Sequence, residues 1–205
     1  MNRIKGWWPE AALVAILALI TLAAAVGWTA GLDLAVRDAM FEIRTPVLYW
    51  TARVLNYLGQ GSILTWAIAF VLSAYLYWRS RDWKIFLPWA TTFAMTYLIT
   101  GPLKLWSMRD APGSDLPNAV EFFNHAAEYT RSYPGGHVVN AIAWWGVIVL
   151  LALKIRPVPA RLMRWAPPII VFCTTIYLNF HWLTDNLAAI AIGLFIYRIV
   201  HRLYR

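Results

Sequence analysis

His137 and His181 are the residues of this chain whose neighbours best equip them for chemistry. His137 closes the string Tyr133-Pro134-Gly135-Gly136-His137, and an apolar run from 138 to 153 follows it. Glycines ahead of a helix let an anion such as phosphate approach the backbone. The N–H groups of the first turn point at that anion, and the helix dipole favours its charge. Taken alone, the string fits equally a tight turn capping a membrane helix. His181 and Asp185 stand four apart. On a helix that spacing puts them on one face, within reach of each other. A carboxylate bonded to one ring nitrogen fixes the tautomer and leaves the other nitrogen as nucleophile or base. A structural hydrogen bond at a helix end has the same spacing. Lys104 and Arg109 supply positive charge, for an anion or for snorkelling at a membrane interface.

The elements that carry these residues are apolar. Of 205 residues, 60% are hydrophobic and 14% charged, where a soluble domain has about 25% charged. The composition indicates an integral membrane protein of several spans in one bundle. Many of the 13 Trp residues sit near the ends of apolar runs (Trp7, Trp8, Trp78, Trp83, Trp89, Trp165), as an interfacial aromatic belt would. The net charge of +8 comes from basic residues clustered between apolar runs. Nucleic acid is not the expected partner, because that needs a basic patch on a soluble surface. The single Cys173 excludes an internal disulfide and reads as a small buried residue. The first apolar run is long for a signal peptide, so it reads as a retained span.

The expected fold is all-α: a six-transmembrane-helix bundle forming one domain, 1–205, with short interfacial helices between spans one and two. The spans fall at 9–30, 62–78, 85–103, 136–153, 168–184 and 187–200. The stretch 32–59 mixes Asp33, Arg37, Asp38, Glu42, Arg44 and Arg53 with apolar residues at helical spacing, and Pro46 breaks it in two. The polar loop 107–134 is long for a structureless connection, and such loops are often lids. Six spans put both termini on one side. That side receives Arg3, Lys5, the Arg79–Lys84 and Lys154–Arg164 clusters and the basic tail. The other side receives most acids: Asp33, Asp38, Glu42, Asp110, Asp115, Glu121, Glu128 and Asp185. The positive-inside rule then predicts cytoplasmic termini in the plasma membrane and an outward-facing site.

Three polar clusters interrupt the outer ends of spans three, four and five: Lys104 with Arg109, Gly135-Gly136-His137, and His181 with Asp185. Ionisable groups at such depth are costly and tend to be paired and functional. His125 and His201 read as exposed loop and tail residues, while Asn140, Asn179 and Thr184 read as interhelical hydrogen bonds. Lys104…Arg109…Pro112, then Tyr133-Pro134-Gly135-Gly136-His137, then His181-Trp182-Leu183-Thr184-Asp185 resemble, in order, the three signature blocks of the type 2 phosphatidic acid phosphatase superfamily. The soluble vanadium haloperoxidases share that site.

The resemblance implies a two-step phosphoryl transfer on a lipid phosphate taken from the bilayer. His181 would attack phosphorus, Asp185 would orient it, and His137 would protonate the leaving oxygen and then activate water. Lys104, Arg109, Gly135 and Gly136 would hold the phosphate oxygens. It implies no metal and no cofactor, and it is compatible with a homo-oligomer. Three positions depart from the pattern. Ala111 stands where the family usually has arginine, Gly135 where it has serine, and Thr175 where it has a second arginine. Lost guanidiniums remove bidentate grips, and one oxyanion donor is worth about 3 kcal/mol. Arg131, just before the second block, is the expected replacement. Two other readings stay open. One is a phosphotransferase of the same superfamily passing a phosphoryl or head group to an alcohol, a branch that Asn179 before His181 also resembles. The other is a non-catalytic subunit that binds lipid phosphate.

Overall fold

The computed structural model describes residues 6–124 and 131–204, with only the backbone described at 62 and 63. His125 and Glu128, Arg3 and Lys5 of the sequence reading lie outside the described residues. Those described form helices and connections without strands. In order these are α1 (Trp8–Ala25), α2 (Ala30–Glu42), α3 (Pro46–Asn56), α4 (Trp66–Ser80), α5 (Leu87–Ser107), α6 (Gly136–Ala152), α7 (Ala160–Tyr177) and α8 (Leu183–Tyr204). Helices α1 and α8 are long and apolar enough by length and composition to cross a membrane, while α6 is apolar but shorter.

Local chemistry explains the short helices. Thr45 caps α3 by accepting a hydrogen bond from Leu48 N–H (3.3 Å), and Pro46 follows at the first helical position. The interruption expected at Pro46 is thus a helix start. The fifth expected span is shifted. Helix α7 begins at Ala160, so Arg161 and Arg164 lie within it, and it runs through the buried Pro167 and Pro168. Neighbouring helices let a membrane-type helix carry internal prolines. It stops at Tyr177, which leaves His181 in the turn before α8. Cys173 faces outward from α7 rather than into the core. His201 is half-buried on α8 and packs on Tyr197, with ring centroids 4.2 Å apart, instead of lying in an exposed tail.

Helix α6 is the axis of the bundle, buried along most of its length between α4, α5, α7 and α8. Close approach to α8 depends on two glycines. A Cβ at Gly193 would lie 2.8 Å from Ile142 Cβ, and one at Gly146 would lie 2.5 Å from the Tyr197 ring. Small residues are the usual means of helix association where lipid removes the hydrophobic drive. Helix α1 leans on α8. Its buried Glu10 accepts from Arg198 Nε (3.0 Å) and Arg202 Nη2 (2.9 Å) at one end. Near the other end, Thr21 is hydrogen-bonded to the Tyr133 hydroxyl. Of the expected tryptophan belt, Trp7, Trp8, Trp78, Trp83 and Trp165 are exposed, whereas Trp89 stacks on Phe93 against the core.

Candidate active site

The site forms where α5 ends, α6 begins and α7 turns into α8. Asn179, in the left-handed conformation (φ 56°), reverses the chain after α7. The buried Trp182 then anchors the turn by donating from its indole N–H to Asp110 O (2.7 Å). Asp185 occupies the third position of α8 and reaches back to accept from Trp182 N–H (3.0 Å), the carboxylate half of a capping box. The cap and the helix dipole together explain why an acid sits at this depth.

The direct His181–Asp185 bond expected from i, i+4 spacing is absent, because His181 precedes the helix. Its Nδ1 lies 3.9 Å from Asp185 Oδ2. Ser132, from the loop ahead of α6, stands between them. Its Oγ is 3.2 Å from His181 Nδ1 and donates a short hydrogen bond to Asp185 Oδ2. With the serine proton directed to the carboxylate, Oγ is left to accept from Nδ1–H. This fixes the neutral tautomer with a lone pair on Nε2. The sequence reading missed Ser132. Its position five residues before His137 was the available signal, since a hydroxyl flanking a candidate anion site can serve as donor.

His137, on the first turn of α6, faces His181 with ring centroids 5.7 Å apart. Lys104 runs from the end of α5 along this turn, its Cε 3.7 Å from where a Cβ on Gly136 would stand. Its ammonium donates to the carbonyls of Arg131 (2.5 Å) and Ser132 (3.4 Å), pinning the loop that carries the serine.

Two cavities meet at the histidine pair. One, of about 660 Å³, is lined by Arg44, Arg131, Ser132, His137, Asn179 and His181, among others. The second, of about 480 Å³, opens beside α4, α5 and α6, with Trp66, Tyr97, Thr100, Lys104, Gly136 and both histidines in its wall. Gly136 and Arg131 therefore border the hollow. Gly135 and Arg109 do not grip it. Gly135 N–H is spent on Asp185 O (3.0 Å).

Arg109 is 1% exposed and donates to Asp185 Oδ1 (2.6 Å), Thr184 Oγ1 (2.8 Å), Asp33 Oδ2 (2.5 Å) and Val120 O (2.8 Å). It braces the carboxylate behind His181. Asp33, expected in a short interfacial helix, is likewise buried and also accepts from Thr184 N–H (3.0 Å) and Oγ1 (2.6 Å). One arginine between two carboxylates satisfies charges that burial would otherwise penalise. An acid inside the apolar stretch 32–36 was the sequence signal.

The loop described as 108–124 and 131–135 is strapped across the site. Phe123 N–H donates to Ser107 O (2.8 Å), Ser132 N–H to Arg109 O (2.8 Å) and Gly113 N–H to Asn179 O (3.1 Å). Tyr133 is fully buried, and desolvation pushes its phenol up to about 12, so it serves as a neutral strut to Thr21.

The sequence family described as the PAP2 superfamily matches residues 85–205, which hold Lys104, Ser132, His137, His181 and Asp185. The chain belongs to the PAP2 superfamily. It is 26% identical over 192 residues to phosphatidylglycerophosphatase B of Bacillus subtilis (strain 168), covering 90% of each chain. The fold matches a crystal structure described as the first transmembrane PAP2-type phosphatidylglycerolphosphate phosphatase from Bacillus subtilis. The TM-score is 0.80 at 22% identity, over 95% of this chain and 94% of that one.

Within the PAP2 pattern, two of the three departures are joined by one residue. A Cβ at Gly135 would collide with Asn186 Oδ1 and sit 3.3 Å from Asp185 O. Asn186 Nδ2 in turn donates to Thr175 Oγ1 (2.8 Å). Asn186 thus fills the space a serine at 135 would need and is held by the threonine that replaces the arginine. The third departure, Ala111, lines the larger cavity.

Proposed function

We propose that this chain is a membrane-embedded phosphatase that hydrolyses a phosphomonoester or pyrophosphate of a lipid through a phosphohistidine. The observation that carries the reading is His181 with Nδ1 held through Ser132 to Asp185 and its ring facing His137. In the first step the Nε2 lone pair of His181 attacks phosphorus. The bond to the lipid oxygen breaks, and His137, protonated beside the bound phosphate anion, gives that oxygen its proton. In the second step neutral His137 takes a proton from water, the hydroxide attacks phosphorus, and the P–N bond breaks to release phosphate and restore both histidines. Asp185, through Ser132, stabilises the positive imidazole of the intermediate. Lys104 and the N–H of Gly136 hold the oxygens as charge moves onto them. Arg109 acts as a positioning residue, and Arg131 is a further grip from the cavity wall.

The lipid enters sideways through the cavity beside α4, α5 and α6. Helices α1, α4, α5, α6, α7 and α8 make the six spans, α2 and α3 lie at the interface, and the positive-inside distribution supports a site on the outer face of the plasma membrane. The curated relative is named for phosphatidylglycerophosphate, which makes that lipid the first substrate to try.

Detergent-purified protein is assayed for phosphate release from phosphatidylglycerophosphate, phosphatidate and prenyl pyrophosphates. His181→Ala is expected to abolish release, and wild type quenched during turnover to yield an acid-labile, base-stable phosphoprotein that His181→Ala does not form. Unchanged turnover in His181→Ala rules the mechanism out.

A further inference from the structure

Arg44 joins α2 to α3, outside the residues that the PAP2 family matches. It nonetheless lines the larger cavity with Ser132, His137 and His181. Its surroundings hold it there without neutralising it. Its Nη2 donates to Tyr177 O (3.2 Å), and with the Asn179 amide oriented to donate to Ile176 O (3.1 Å), the amide oxygen accepts from the same Nη2 (3.2 Å). Both partners belong to the turn that carries His181. The guanidinium lies 4.6 Å from the Phe41 ring and 5.8 Å from that of Tyr49. Its Nε is buried with no hydrogen-bond partner, and no carboxylate pairs with it among the described residues.

The cavity has the same character. Among the described residues its walls carry two guanidiniums, Arg44 and Arg131, and no acid. Lys104 lines the other cavity, so both cavities that reach the shared histidine pair carry a positive group. Arginine contrasts here with Arg109, which spends its donors on two carboxylates. A guanidinium fixed by its neighbours, lining a hollow whose described walls carry no acid, is suited to planar recognition of phosphate oxygens.

We propose that Arg44 is an anion-binding residue of the active cavity, taking phosphate oxygens of the substrate from the cavity that adjoins the one lined by Lys104. The proposal rests on the phosphatase reading above and extends it to a residue contributed by the interfacial helices. Arg44 then supplies from another part of the chain a positive group that Ala111, in the same wall, lacks.

The test compares Arg44→Gln, Arg44→Lys and Arg44→Ala with wild type in detergent. Competitive inhibition by inorganic phosphate and kcat/KM on phosphatidate and on phosphatidylglycerophosphate are measured. Loss of a charged hydrogen bond predicts that Arg44→Gln raises the phosphate inhibition constant at least about tenfold, with Arg44→Lys in between. An equal fall in kcat/KM on both lipids assigns the guanidinium to the transferred phosphate. A fall concentrated on phosphatidylglycerophosphate assigns it to the second phosphate of that lipid. A phosphate inhibition constant within twofold of wild type in Arg44→Gln overturns the proposal. So does equal weakening by Arg44→Lys and Arg44→Gln, since a structural role would not distinguish the charge. If Arg44→Ala does not fold, the Lys and Gln variants decide. If wild type hydrolyses neither of these lipids nor a prenyl pyrophosphate, the phosphatase reading fails, and calorimetry of inorganic phosphate binding to wild type and Arg44→Gln decides Arg44 separately. Equal or undetectable binding overturns it.

Discussion

The hydroxyl of Ser132 lies 3.2 Å from Nδ1 of His181 and donates to Asp185, so a residue from the loop before α6 links two residues of the α7–α8 turn. Removing that hydroxyl leaves the imidazole with no short contact to the carboxylate, which is 3.9 Å away. Ser132→Ala is expected to lower kcat about 10- to 100-fold, the worth of a hydrogen bond to a charged group, with KM changed far less. Steady-state kinetics on a lipid phosphate checks the split. A change confined to KM would contradict the link.

The Arg109–Asp33 pair gives a stability prediction. Asp33→Asn leaves a buried guanidinium short of one counter-charge, and breaking such a pair costs about 3–5 kcal/mol. Thermal unfolding in detergent should show a large fall in Tm. Glu10→Gln should cost less, because Arg198 and Arg202 are partly exposed to solvent screening. The order of the two Tm values is the measurement.

Gly135→Ser would restore the usual family residue, yet it is expected to impair the protein, because Asn186 fills the space its Cβ needs. Overpacking of this kind costs about 1–3 kcal/mol. The double variant Gly135→Ser with Asn186→Ala should recover Tm relative to the single change. Additive losses in the double-mutant cycle would disprove the steric link.

Tyr133 predicts an alkaline effect. Burial raises its phenol from 10.0 to about 12. Between those values the unfolded chain has lost the proton and the native state keeps it. Stability therefore falls as pH rises through that window, and the contribution is fully present below pH 10. Tyr133→Phe should flatten this part of the Tm–pH curve relative to wild type. An unchanged slope would refute it.

Local composition was enough for the helical, membrane-type architecture and for four residues that border the two cavities. Apolar runs and their basic flanks follow from local composition, and Gly136, His137, Lys104 and His181 sit beside breaks in that composition. Both ends of α6 and the start of α1 were legible to within a residue. The start of α7 was not, because Pro167 and Pro168 read as a boundary when neighbouring helices allow them inside one. Tertiary structure alone decided the partners. Asp33 and Arg109 are 76 residues apart and Ser132 and Asp185 are 53 apart. Periodicity carries no record of such separations. It shows that a charge lies in an apolar stretch, but only packing shows which opposite charge meets it. For the same reason Arg109, expected to grip phosphate, is turned to the carboxylates behind His181, while Arg44 of an interfacial helix connection reaches the cavity.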